Sequence, residues 1–275
     1  MNTHKLIYGC LLSFVLCLFS CDEQKRIIEP FVPAGNRTIL LEEFTGKACP
    51  NCPKGSRELE NLLQQFPDNL VAVSIHAGFF AKPQVPPLGQ YDFRTPEGDV
   101  LIDYLGPPLG YPAGDVNRTP VSGEMLLSSN AWASAITTQI QTAPSVELSI
   151  DHDYNSTTRE LTVTVNGIGK EAVSGDIRLS IMITESGIVD AQIDVEAGGL
   201  VPDYVHNHVL RGMLTPATGA SISNGLTLGQ TFSETYTRTL DTNWDAQHMH
   251  IIAFVTDVQG NNFPVLQAAG VELIP

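Results

Sequence analysis

The sequence predicts an α/β half followed by an all-β half, and three observations carry that prediction. A C-x-x-C pair, Cys49-Pro50-Asn51-Cys52, sits between a strand-like run and an amphipathic helix. Strand and helix patterns alternate from Thr38 to Thr142. From Ser145 onward no helical period persists, and β-branched alternation dominates.

The elements follow in order. Thr38 to Phe44 reads as a strand that places Glu43 with Ile39 and Leu41 on one face, and Glu42 with Leu40 and Phe44 on the other. Lys54 to Phe66 carries Leu59, Leu62, Leu63 and Phe66 at helical spacing, and Pro67 ends it. Leu70 to His76 is a short, mostly apolar strand, as in a sheet covered on both faces. Gly98 to Leu105 reads as a short helix and Gly114 to Arg118 as a strand. Ser128 to Thr142 is a second clear helix: Ser129 or Asn130 caps it, and Trp132, Ile136 and Ile140 fall four apart. The βαβ order implies a mixed sheet with helices on its faces. Seven strands are then expected, at 145–150, 160–166, 177–184, 205–210, 230–240, 248–258 and 265–273. So many short strands in a row suggest an immunoglobulin-like sandwich.

Charge and leader bound the setting. The chain has 275 residues, 43% hydrophobic and 16% charged, with net charge −15. Such an acidic balance argues against nucleic acid as a partner, because phosphate binding needs clustered Lys and Arg. Lys5 followed by the apolar run from Leu6 to Phe19 reads as a signal peptide over 1–20, too short to span a bilayer. Leu18-Phe19-Ser20-Cys21 resembles a bacterial lipobox, which implies cleavage before Cys21, lipidation of that cysteine and anchoring to a membrane. The other reading is an ordinary secretory signal with Cys21 incidental. Residues 21–37, with Pro30, Pro33 and Gly35, read as a tether. The α/β domain is then expected over 38–143 and the sandwich over 144–275. Cys10 and Cys17 leave with the signal, so an oxidising compartment leaves Cys49 and Cys52 to pair with each other.

The cysteine pair is the main candidate for chemistry. A helix N-terminus stabilises a thiolate, which is the nucleophile in disulfide exchange. Cys49 is expected as the attacking thiol at the exposed mouth of the helix, and Cys52, one turn in, as the resolving thiol. Pro50 suits the first helical turn, where its missing N–H has no helical partner. Two structural alternatives stand beside this: a staple, or half a zinc site, although the chain has no second C-x-x-C. No cofactor is required, since the pair is itself a redox centre. His206 with His208, and His248 with His250, are two H-x-H pairs whose side chains share a face on a strand. They read as structural histidines or as metal chelators, with Arg211 and Asp203 in a similar polar cluster. The insertion from Ala77 to Gly110 is rich in Pro, Gly and aromatics, including Phe79, Phe80, Pro83, Pro86, Pro87, Tyr91 and Phe93. It reads as an ordered loop packing on its own domain, or as one wall of a peptide groove beside Cys49.

Leu40-Leu41-Glu42-Glu43-Phe44-Thr45-Gly46-Lys47-Ala48-Cys49-Pro50-Asn51-Cys52 resembles the active-site segment of the thioredoxin superfamily. Tyr111-Pro112-Ala113-Gly114-Asp115-Val116 is similar to that family's cis-proline loop, which faces the disulfide and pairs with an extended substrate. Glu43 stands where such proteins often carry a buried acid. Burial there raises its pKa and lets it accept the proton of Cys52, whereas a strand-end glutamate would reach solvent instead. Ala48 stands where the family often has tryptophan. Three segments together resemble the outer membrane protein twenty-eight family. These are Glu42 to Gly46 with Cys49 to Pro53, Tyr111 to Arg118, and Asp203 to Gly212. That resemblance implies a lipoprotein of the outer membrane or cell surface. The expected activity is therefore disulfide exchange on envelope proteins or peptides, through Cys49, Cys52, Glu43 and Pro112. The alternative is a surface binding or adhesion lipoprotein with a structural disulfide.

Overall fold

The computed structural model describes residues 36–82 and 88–275. The expected signal peptide, the expected lipidation site Cys21 and most of the expected tether lie outside these residues, as do Pro83, Pro86 and Pro87. The chain forms β1 (Ile39–Thr45), α1 (Cys52–Gln65), β2 (Leu70–His76), α2 (Pro96–Leu105), β3 (Ala113–Val116), β4 (Leu127–Ser128) and α3 (Ser129–Gln139). Strands only, apart from one short 3-10 turn, then follow: β5 (Val146–Asn155), β6 (Glu160–Gly169), β7 (Val173–Glu185), β8 (Ile188–Asp194), β9 (Gly199–His206) and β10 (Val209–Met213). The last are β11 (Ala220–Leu226), β12 (Thr231–Thr239), β13 (Met249–Val258) and β14 (Val265–Glu272).

A mixed sheet of nine strands carries the fold, in the order β14-β13-β7-β10-β2-β1-β3-β4, with β11 paired to β7. β1 and β2 are parallel, from Ile39 opposite Leu70 to Thr45 opposite His76. Parallel neighbours need a crossover, and α1 supplies it. β3 returns antiparallel to β1, with Leu41 opposite Val116. β10 then joins β2 at Val209 and Ser74. The sheet therefore runs without a break past residues 143/144, where the sequence places a boundary, and the described residues form one compact unit. What changes there is the covering layer. Before it, helices lie on the sheet; after it, the three-stranded sheet β12-β6-β5 does.

Alternation within the strands decides the layers. Ile39 and Leu41 of β1 join Leu59 and Leu62 of α1 and Trp132 and Ile136 of α3 in one apolar cluster. Leu40 and Phe44 face the opposite way, onto Leu101, Ile102 and Leu105 of α2, with Met182 of β7 and Phe254 of β13 in the same cluster. A third cluster packs Val163 and Val165 of β6 against Ile181 and Ile183 of β7 and Ile251 and Ala253 of β13. β7 thus contributes to clusters on both faces, and its last seven residues are all buried.

Local backbone geometry explains where the strands end. β3 stops at Val116 because Asn117 and Arg118 turn the chain with φ of 54° and 50°. The strand expected over 205–210 is two strands, broken at Asn207 and at His208, whose φ is 55°. β8 and β11 have no counterpart among the expected strands, and β9 begins six residues before the one expected at 205.

The turn after β3 is pinned by a buried ion pair. Arg118 Nε and a terminal nitrogen donate to the two carboxylate oxygens of Glu42, at 2.7 and 2.8 Å, with both side chains sealed from solvent. The guanidinium lies 4.7 Å from the Phe254 ring centroid, which ties the turn to β13. Asn117 locks the same corner: its side-chain oxygen accepts from Leu40 N at 2.8 Å, and its carbonyl accepts from Val265 N at 2.9 Å. Burial, the Glu42 carboxylate and a hydrogen bond to it push Asp115 well above the usual carboxylate range, although Arg118 opposes this. Removing one partner of such a pair strands a charge without water. Arg118→Ala should therefore cost about 3–5 kcal/mol, read from urea denaturation, and Arg118→Met combined with Glu42→Gln should cost clearly less.

Candidate functional site at the Cys49–Cys52 loop

The loop from Gly46 to Asn51 joins the end of β1 to α1. Cys49 and Cys52 are disulfide-bonded, with Cα atoms 5.4 Å apart. The Cys49 amide donates to the Gly46 carbonyl at 3.0 Å, which folds the loop back on itself. Helix α1 begins at Cys52, so Pro53 sits in its first turn and Pro50 in the turn before it. Gly46 is required by space: a Cβ there would lie 2.5–2.6 Å from backbone atoms of Phe80 and Ala81. The Ala48 amide donates to the Phe80 carbonyl at 3.2 Å.

Both cysteines are buried, each only 1% exposed. This corrects the expectation of Cys49 at an open helix mouth, and the reason is the β8–β9 hairpin. Ile193 N donates to Lys47 O at 3.0 Å and Val195 N donates to Pro50 O at 2.9 Å. Gln192 Nε2 donates to Cys49 O at 3.0 Å. The face of β8 that turns toward the loop is polar: Asp190, Gln192 and Asp194 are buried, while Val189 is 52% exposed. Lys47 pairs with Asp190 at 2.8 Å, donates to the Tyr91 carbonyl, and lies 5.2 Å from the Phe93 ring centroid. Asp190 also accepts from Gln90 N at 2.8 Å and Tyr91 N at 2.9 Å, fastening residues 90–91 of the insertion to the hairpin. Burial raises the Asp190 pKa, but the bonds from Lys47, Tyr91 and Gln90 outweigh it and hold the carboxyl below its usual range.

Glu43 lies under the first turns of α1 and is fully buried. Ser74 Oγ donates to Oε2 at 3.0 Å, and Ser56 Oγ lies 3.4 Å from both Oε1 and the Cys52 carbonyl. Burial lifts the Glu43 pKa to about 8, the two serine hydroxyls oppose the rise, and Glu60 adds to it. Pro112 follows a cis Tyr111–Pro112 bond and packs on the same turn. A Cβ on Gly55 would come within 2.5 Å of Pro112 Cβ and 2.8 Å of Glu43 Oε1. Cys52, Glu43 and Pro112 thus meet around one turn of helix. Ser56, Ser74 and Gly55 complete the arrangement, and the sequence reading passes over all three. The signal for Gly55 and Ser56 is present, however, since a glycine and a serine on the buried side of an amphipathic helix mark a close approach.

The histidines do not gather. Among the described residues no group of three or more His, Cys, Asp or Glu side chains can hold a metal ion. His206 packs on Phe93 and Tyr204, with centroids 4.8 Å away in each case, and lies 5.8 Å from His76. Burial depresses the pKa of both imidazoles, that of His206 to about 4. They line a cavity of about 480 Å³ with Ser56, Ser74, Gln192 and Tyr204, between α1 and the hairpin. His208 pairs with Glu60 at 3.3 Å and His248 with Asp245 at 3.2 Å. Arg211 pairs with Glu185 at 3.2 Å, whereas Asp203 is exposed on β9.

Fold and site together define a mostly β protein with a mixed sheet, and a buried disulfide seated over a buried glutamate. The family described as Outer membrane protein Omp28 matches residues 103–272. The chain belongs to that family, which places it in the cell envelope at the outer membrane. The fold is similar to HBP35 of Porphyromonas gingivalis, with a TM-score of 0.66 at 16% identity over 88% of this chain and 76% of that one. It is also similar to protein AGR_C_4864 of Agrobacterium tumefaciens, with a TM-score of 0.52 at 10% identity over 85% and 93% of the two chains. A domain of the outer membrane lipoprotein Omp28 from Porphyromonas gingivalis is 22% identical over 48% of this chain and 90% of that one, with a TM-score of 0.32. No curated protein matches the chain.

Two outcomes follow from the geometry. A carboxyl whose folded pKa is raised makes the native state hold the extra proton. Its penalty is absent below the unfolded value near 4.5 and grows as pH rises toward about 8. Glu43→Gln should therefore stabilise the protein at pH 8, by on the order of a few kcal/mol, and leave pH 4.5 little changed. Urea midpoints at the two pH values read this directly. Gly55→Ala should cost about 1–3 kcal/mol through overpacking against Pro112, measured by thermal denaturation.

Proposed function

We propose that this protein is a lipid-anchored lipoprotein of the outer membrane whose α/β half is a thioredoxin-like thiol–disulfide exchange module and whose second half is an immunoglobulin-like sandwich. One observation carries the reading: the Cys49–Cys52 pair, Pro112 and the buried Glu43, whose pKa burial raises to about 8, meet at the first turn of α1. A structural staple has no use for a buried acid, which costs stability at neutral pH. An open groove of about 760 Å³ runs from Asn51 and Lys54 past Tyr111 and Pro112 to Asn130, and it suits an extended peptide.

In this mechanism a substrate thiolate attacks the sulfur of Cys49. The Cys49–Cys52 bond breaks, and Cys52 leaves as a thiolate that takes the proton of Glu43. A second substrate thiol then attacks the substrate sulfur of the mixed disulfide and releases Cys49. The substrate dithiol is oxidised by two electrons and the protein disulfide is reduced. Run backward, the Glu43 carboxylate takes the proton from Cys52. Pro112 positions the substrate backbone. Envelope proteins or peptides are the substrates, and no cofactor takes part.

A second reading is favoured by the 1% exposure of both cysteines. In it the disulfide is structural and the protein is a surface binding lipoprotein. Cys52→Ala separates the two. Under exchange, the variant accumulates mixed disulfides on Cys49 in envelope extracts, seen as adducts that reductant removes. A variant that stays free of adducts leaves the binding reading.

A further inference from the structure

We propose that the β8–β9 hairpin is a displaceable cap, and that the Cys49–Cys52 disulfide reacts only when this cap lifts. The hairpin pairs with no strand of either other sheet. It leaves the nine-stranded sheet after Glu185 and re-enters at Val209, and those two residues are partners in that sheet. Gly187, with φ of 74°, and His208, with φ of 55°, stand at its two ends. The hairpin can therefore swing without unpairing β7 from β10.

What holds the cap down is mainly polar, the exception being His206 at the end of β9, which packs on Phe93. Its contacts to the loop are the amides of Ile193 and Val195 and the side chain of Gln192. Its anchors are ion pairs: Asp190 with Lys47 at 2.8 Å, Asp194 with Arg57 at 2.9 Å, and Glu196 with Arg57. Water replaces hydrogen bonds and the partly exposed Arg57 pairs at little net cost, which leaves the buried Lys47–Asp190 pair as the main anchor. The outer face gives no counterweight, since Val189, Leu200 and Val205 are all at least half exposed. These are the attributes of a segment at the low end of local stability. The cap depends on the exchange reading only for what its opening serves. The opening itself is a property of the hairpin.

Reduction of the native full-length protein by a water-soluble phosphine tests this. The phosphine attacks one sulfur and breaks the S–S bond; water then supplies the oxygen of the phosphine oxide and the protons, leaving two thiols. Peptide mapping after alkylation follows Cys49 and Cys52 alone. The folded protein should be reduced about a hundredfold or more slowly than the urea-unfolded chain. Asp190→Ala removes the partner of Lys47 together with the acceptor of Gln90 N and Tyr91 N, and should speed reduction about tenfold or more. A chain in which residues 187–207 are replaced by a short Gly-Ser turn should be faster still, and it covers the case in which Asp190→Ala fails to fold. Equal rates in the folded and unfolded wild type, or wild-type rates in folded variants, would overturn the cap. Adduct-free Cys52→Ala alongside fast reduction in the variants would remove the exchange reading and leave the cap standing.

Discussion

Two adjacent glutamates in a strand with no solvent on either face set the terms for this fold. Every residue of β1 is buried, and alternation sends Glu42 and Glu43 to opposite sides. Each carboxyl must find a substitute for water. Glu42 finds a guanidinium, and that choice dictates the sharp turn at Asn117 and Arg118 and the contact with Phe254. Glu43 finds two hydroxyls and keeps its proton. The first solution fastens the sheet to its second half. The second places a titratable group beneath the cysteines.

The disulfide loop is closed by a hairpin built the wrong way round for a core. β8 turns Asp190, Gln192 and Asp194 inward and leaves valine outside. The loop explains the inversion. Its carbonyls at Lys47 and Pro50 take their hydrogen bonds from the hairpin, and Lys47 and Arg57 bring positive charge to the same surface. A greasy face would leave those groups dry and unpaired. A polar one satisfies them and remains exchangeable with water.

Much of the first half is legible in sequence because its elements carry clean periods. β2 falls at Leu70–His76 as read, and α1 and α3 differ only at their ends. Glu43 and Pro112 are singled out by the resemblance of their segments to a known active-site pattern, and both lie beside the first turn of α1. The first strand of the hairpin has no counterpart in the expected strands, and its inward face is set by distant partners: Asp190, Gln192 and Asp194 are buried against the cysteine loop while Val189 faces out. The continuity of the sheet is missed for another reason. A single pair, Val209 with Ser74, joins strands more than a hundred residues apart, and no local pattern announces it. Burial of Cys49 follows from the same long-range event.

That junction has a consequence for biogenesis. Leu40, Phe44 and Val73 share their cluster with Met182, Leu210 and Phe254, which leave the ribosome far later. Until they arrive, one side of the early sheet is bare and β2 presents an unpaired edge, a surface that invites aggregation. The cysteines share in this delay: they stay uncovered until the β8–β9 hairpin, which follows them by more than a hundred residues, closes over their loop.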